Sequence, residues 1–166
     1  HLTNNQAVMS LQSSYESLHK RGYRPAIGNA PLKENLASGL LKITQWDGTK
    51  PLIDMMCGSG TLLIEAVNQI LKVPLKTYKS YLFENWLDFK KDIYLDERCS
   101  AKHKTINYQK LSTIIGCEIN RKVFEQAKGN ISLAGLENYI ELINDDFSNL
   151  KFTAPEGLIL CNPPYG

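Results

Sequence analysis

Leu52-Ile53-Asp54-Met55-Met56-Cys57-Gly58-Ser59-Gly60-Thr61 is a short apolar run that ends on a carboxylate and meets two glycines one residue apart. An apolar-rich stretch from Leu62 to about Leu71 follows at helical spacing, and Pro74 stops it. The succession reads as a strand, a glycine turn and a helix. Gly58 and Gly60 let the backbone bend tightly and approach a ligand closely. The following helix N-terminus offers unpaired N–H groups to a carboxylate or phosphate. A lone Gly-x-Gly also serves as an ordinary strand-to-helix turn, so the rest of the chain must decide. Leu63 stands where the third glycine of the dinucleotide fingerprint would fall, which disfavours a nicotinamide or flavin dehydrogenase.

Downstream, Ser112 to Glu118 is a β-branched strand ending on a carboxylate. A helix over 121–134 follows, with Val123, Ala127, Ile131 and Ala134 on one face and Gly135 as its stop. Tyr139 to Ile143 is a third strand and Leu158 to Cys161 a fourth. Upstream, Pro31 suits a helix's first turn and Asn29 a cap, and Leu32, Leu36, Leu40 and Ile43 recur at helical spacing up to the Trp46-Asp47-Gly48 turn. Ala7 to Leu11 is a further short strand with Met9 and Leu11 on one side. Residues 76–110 lose the pattern, and Tyr78, Tyr81, Phe83, Trp86 and Phe89 lie among charges there, as in an insertion with one or two short helices. Strands alternating with helices predict an α/β fold, a parallel sheet with helices on both faces.

With 166 residues, 43% of them hydrophobic, the chain suits one domain with a sizeable core. No apolar run has membrane-spanning length and no signal peptide is visible, so the reading is a soluble cytoplasmic protein without a membrane partner. A chain that opens at His1 and stops on Asn162-Pro163-Pro164-Tyr165-Gly166 reads as a piece of something longer. Cys57, Cys99, Cys117 and Cys161 include no Cys-x-x-Cys pair, which argues against a zinc ribbon or a disulfide framework and predicts reduced, mostly buried thiols with no metal; a metal site of Cys57, Cys117 and Cys161 would require their strands to be neighbours. A net charge of +2 does not by itself argue for nucleic acid. Its distribution is more suggestive: between Tyr15 and Arg24, Lys20, Arg21 and Arg24 alternate with aromatics, either as a phosphate and base contact surface or as a solvated basic loop.

In open parallel sheets ligands bind beyond the carboxyl ends of the strands. Each of the four principal strands ends there on a residue with chemistry. Asp54 suits a ligand carrying an ammonium group. Glu118 can accept hydrogen bonds from two ribose hydroxyls, and Asp146, or alternatively Asp145, from an adenine amino group. Asn162-Pro163-Pro164-Tyr165 is the most specific element. Its prolines lack N–H donors and fix the chain direction, so the Asn162 amide oxygen and the Pro163 carbonyl can accept both hydrogens of a planar –NH2 while Tyr165 stacks on the attached ring.

These residues resemble class I S-adenosylmethionine-dependent methyltransferases of the amino-methylating type, in the segment Asp54 to Gly60 and in Asn162 to Tyr165. With Leu18 to Arg24, Ala30 to Ala37, Met56 to Thr61 and Phe83-Glu84-Asn85-Trp86, the chain is similar to bacterial guanine-N2 methyltransferases of large-subunit ribosomal RNA, also labelled N6-adenine-specific methylases. The resemblance implies a Rossmann-like methyltransferase fold cut after its fourth strand, with S-adenosylmethionine as cofactor. It implies that Asp54, Cys57, Gly58, Ser59, Gly60 and Thr61 hold the cofactor's methionine end, Glu118 its ribose and Asp146 its adenine. Asn162, Pro163, Pro164 and Tyr165 would grip the target base, and Lys20, Arg21 and Arg24 would contact nucleic acid, ribosomal RNA ahead of DNA. Residues 1–24 would join an upstream RNA-binding domain and 25–166 form the methyltransferase domain. A sheet edge at Leu158 to Cys161 without later strands would be exposed, so the piece is expected to be poorly active alone. Adenine N6, the side-chain amide of a protein glutamine, and a non-catalytic RNA-binding module are the alternatives.

Overall fold

The computed structural model describes residues 2–14, 17–24, 32–73, 81–103, 111–151 and 155–164. An antiparallel hairpin comes first, β1 (Leu2–Thr3) paired with β2 (Gln6–Ala7). Then follow α1 (Glu34–Ile43), β3 (Leu52–Asp54), α2 (Thr61–Leu71), a 3-10 turn (Leu82–Asn85), α3 (Lys91–His103), β4 (Ile114–Cys117), α4 (Arg121–Ala134), β5 (Ile140–Ile143), a second 3-10 turn (Phe147–Asn149) and β6 (Leu158–Ile159). The main sheet has the order β5-β4-β3-β6 and every pair in it is parallel. The α/β class and the parallel sheet are as expected, whereas among the described residues the buried helix contacts, from α1, α2 and α4, gather in one core cluster.

Side chains alternate between the faces of a strand, and the register shows what each face does. Leu52 is opposite Ile114 and Leu158, and Ile114 opposite Ile140. That row belongs to one buried cluster with Leu41 of α1, Leu63 and Val67 of α2 and Ile131 of α4. In the opposite row, Ile53 is buried, Ile115 half-buried and Ile159, on the edge strand, 53% exposed. The helices therefore seal one face, while the other opens toward β6.

Two crossovers place the functional turns. In β3-α2-β4 the helix lies close to the sheet because Gly116 faces it without a side chain. A Cβ there would meet Leu63 Cδ1 at 2.3 Å, Leu142 Cδ2 at 3.0 Å and Cys57 Sγ at 3.1 Å. Leu63 is fully buried and has little room to retreat, so Gly116→Ala is expected to cost about 1–3 kcal/mol by overpacking, read as a lower urea midpoint. In β4-α4-β5 the helix is capped at both ends. The Asn120 side chain accepts from Lys122 N and Val123 N, and Gly135, at φ 71, closes the C-terminus.

Several sequence expectations need correction. The strand expected from Ala7 to Leu11 ends at Ala7, and Met9 and Leu11 are 96% and 84% exposed, because the chain closes a short hairpin on Leu2–Thr3 instead. Helix α1 does exist, but Leu36 and Ile43 are exposed and the buried residues are Glu34, Ala37 and Leu41. Its expected start at Asn29 and Pro31 lies outside the described residues. The loose stretch after α2 contains α3, 13 residues long, beside an aromatic group in which Phe83 stacks on Tyr81 at 5.0 Å. Residues 21–24 pack into the domain rather than preceding it, with Tyr23 6% exposed in the core. Among the described residues no helix is long and apolar enough to cross a membrane.

Candidate active site

The strands' carboxyl ends open on a cleft of about 1000 Å³. Its first wall is the turn between β3 and α2. The Cys57 N–H donates to Cys117 O at 2.9 Å and the Gly60 N–H to Cys57 O at 2.8 Å, which bends the chain back on itself. Gly58 and Gly60 take φ values of 54 and 81, a region costly for side-chain-bearing residues, and added Cβ atoms at Gly58 would meet nothing within 4 Å. Gly58 thus leaves open space beside the cleft. The Ser59 carbonyl accepts from the buried Asn130 amide of α4 at 3.0 Å, tying the turn to the neighbouring helix.

Asp54, 1% exposed, ends β3 and accepts from the Met56 N–H at 3.2 Å. Burial pushes its carboxyl up to about 7; the Met56 N–H opposes this and the charge of Glu118 adds to it. A carboxylate held out of water next to a second one is stabilised by a cation. Glu118 follows β4, and its two oxygens accept from Gly58 N at 3.1 Å and Asn120 N at 2.8 Å. An ionised carboxylate has about four acceptor positions, so those two bonds leave capacity for a pair of hydroxyl donors. Glu118 therefore shapes the glycine turn while remaining able to bind a diol.

Asp145 and Asp146 both line the cleft. Asp146 caps the second 3-10 turn, accepting from Ser148 N at 2.9 Å, and that bond holds its carboxyl below the usual range. Asp145 is used within the loop, accepting from Asn149 Nδ2 at 2.9 Å and from Asp146 N at 2.7 Å. The fourth wall follows β6. Leu160 N donates to Ile53 O at 3.0 Å, which carries the chain alongside β3 and delivers Asn162, Pro163 and Pro164 to the same cleft as Asp54 and Gly58. Tyr165 lies outside the described residues. Burial raises the Cys57 and Cys117 thiols, so both stay protonated. Among the described residues no three His, Cys, Asp or Glu side chains gather as a metal-ligand group.

The basic segment departs from expectation. Lys20 is exposed. Arg21 instead pairs with Glu65 of α2 at 3.1 Å, and Tyr23 donates to the same carboxylate at 2.9 Å. Arg24 pairs with Glu34 of α1 at 3.2 Å, and only 9% of its side chain is exposed. Both cations are spent on partners inside the domain and do not form an open phosphate-binding surface, since Glu34 and Glu65, two buried carboxylates, require them.

Some features in and around the cleft escaped the sequence reading. Ile119 and Phe147, both largely exposed, flank the cleft beside Glu118 and Asp146. Asn120 immediately precedes a helical run and was findable as a cap. Asn130 was findable as a polar residue three positions after Ala127 on the face expected to be buried.

Comparison with known proteins fits this arrangement. The UPF0020 family, described as the RMKL-like methyltransferase domain, matches residues 21–166. A Synechocystis protein named "Putative RNA methyltransferase slr0064" is 39% identical over 170 residues, covering 100% of this chain and 43% of that protein. The ribosomal RNA large subunit methyltransferase K/L of Vibrio cholerae is 36% identical over 96% of this chain and 23% of its own length. The solved structure of SMU.472, named "a putative methyltransferase complexed with SAH", superposes with a TM-score of 0.81 at 30% identity, over 93% of this chain and 40% of that one. The chain thus spans under half the length of these relatives. With a matching family model over most of its length and a glycine turn, acidic strand ends and Asn-Pro-Pro segment around one cleft, the chain belongs to the RMKL-like methyltransferase domain family.

Proposed function

We propose that the protein uses S-adenosylmethionine to methylate an exocyclic amino group of an RNA base, guanine N2 of large-subunit ribosomal RNA, in the cytoplasm. The observation that carries this reading is the shared cleft, lined by Asp54, Gly58, Glu118 and Asp146 together with Asn162, Pro163 and Pro164. The acidic donor set fits that cofactor, since Asp54 is stabilised by a cation and Glu118 has acceptor capacity for a diol. The relatives' names, an RNA methyltransferase and a ribosomal RNA large subunit methyltransferase, support RNA as the substrate, and the SAH in SMU.472 supports the cofactor.

The residues divide the work. Asp54 holds the ammonium of the cofactor's amino-acid end, with Cys57 to Thr61 around it. Glu118 holds the ribose hydroxyls, Asp146 the adenine amino group, and Ile119 and Phe147 cover the adenine faces. When bound, the cofactor supplies an electrophilic methyl group. The Asn162 amide oxygen and Pro163 carbonyl accept the two hydrogens of the target –NH2, which keeps the nitrogen lone pair out of the ring and aims it into the cleft. No strong base is required, because the amine loses its proton after attack. A base taken from a helix must first be extruded, at a cost of a few kcal/mol, and stacking on Tyr165 offsets part of that. Of Lys20, Arg21 and Arg24, Lys20 is the one left exposed to meet phosphate. Incubating the whole protein with methyl-labelled cofactor and ribosomal RNA is expected to yield N2-methylguanosine by nucleoside mass. N6-methyladenosine would move the target to adenine, and labelled glutamine in protein without labelled RNA would overturn the reading.

A further inference from the structure

Arg24 reaches the cleft from behind. Its Nη2 pairs with Glu34 Oε1 at 3.2 Å, and its Nη1 donates to Leu32 O at 3.1 Å and to Thr61 Oγ1 at 3.0 Å. Thr61 is the first residue of α2, 4% exposed and part of the cleft wall, and its Oγ1 lies 3.4 Å from Ser59 Oγ, which also lines the cleft. Arginine has donors and no acceptor. The Thr61 oxygen therefore accepts from Arg24, which leaves its own hydrogen available to Ser59, whose oxygen lies within reach. With Thr61 as the donor, Ser59 accepts and its own hydroxyl hydrogen is left for the cleft that it lines. The guanidinium charge is matched by Glu34, so its contribution is the direction of the hydroxyl pair more than net positive potential.

We propose that Arg24 is a positioning residue which, through Thr61, orients Ser59 as a hydrogen-bond donor to the carboxylate of the ligand's amino-acid end at the N-terminus of α2. This deepens, and rests on, the assignment of the cleft to S-adenosylmethionine. Helix N-termini favour anions, and a donor chain backed by a cation strengthens each link. The carboxylate and the ammonium of one amino-acid group are then met separately, by Ser59 and by Asp54.

The test compares two ligands in the whole protein, S-adenosylhomocysteine and 5′-methylthioadenosine, which lacks the amino-acid end. Thr61→Val is expected to weaken S-adenosylhomocysteine roughly tenfold or more, the range for a hydrogen bond to a charged group, and to leave 5′-methylthioadenosine unchanged. Thr61→Ser restores the affinity. Arg24→Lys, which keeps the charge beside Glu34 but cannot reach all three acceptors, gives the same selective loss, and the double variant is no weaker than Thr61→Val alone because the two act in one chain. Ser59→Ala repeats the result without touching the buried pair. Equal weakening of both ligands, or additive losses, would assign Arg24 a structural role only and overturn the proposal. If the unaltered protein bound neither ligand, the cofactor assignment itself would fall, an outcome distinct from the first.

Discussion

Asn162→Ala is expected to reduce methyl transfer by about two to three orders of magnitude, the range for removing one oriented polar group from a reacting centre, while cofactor affinity changes little. The split follows from position. Asn162 follows β6, after Leu160 has passed Ile53, and so reaches the cleft from a different strand end than the glycine turn and Glu118, which are assigned to the cofactor. Single-turnover transfer to RNA measures the first quantity and calorimetric titration with S-adenosylhomocysteine the second. Equal loss of both would mean that Asn162 holds the cofactor.

Asp54→Asn has the second large effect, and pH gives it a signature. Binding an ammonium group requires the carboxylate, so affinity for S-adenosylhomocysteine should fall as pH drops below about 7, approaching tenfold per unit, and level off above. The variant loses about ten- to a hundredfold in affinity above that pH and becomes insensitive to pH through the same range. Stability moves oppositely. A carboxyl harder to ionise in the folded state than at its ordinary 3.8 favours folding below that value, and the advantage disappears as pH rises to about 7. The ligand-free Asp54→Asn protein is therefore more stable than its parent at pH 8, by up to about 4 kcal/mol, as thermal unfolding with and without ligand will show. A pH-independent affinity in the parent would remove Asp54 from the cation's site.

The parts of this site legible in the sequence are those that local chemistry dictates. A strand, two glycines and a helix specify the turn from Asp54 to Thr61 almost without reference to the rest of the chain, and the ends of parallel strands share an edge by topology. That is why Glu118, Asp146 and Asn162 could be placed together in advance. What could not be read is what depends on partners distant in sequence. Arg21 and Arg24 look like a basic patch until Glu65 and Glu34 arrive from α2 and α1, 44 and 10 positions away respectively. The apolar stripe of α1 misled for the same reason. Ala37 and Leu41, not Leu36 and Ile43, are buried, on the same helical face as Glu34, which pairs with Arg24. Periodicity finds the helix but not which arc a buried ion pair will claim.

Asp54 and Glu118 place two acids in the cleft wall, and under the proposed cofactor assignment they would distinguish its two forms. S-adenosylmethionine carries a positive sulfur, whereas the homocysteine product that remains after transfer does not. On the proposed reading, attraction to the wall would be strongest before the reaction and weaker by one ligand charge after it, so the pair of acids that recruits the fresh donor would also ease the departure of the spent one.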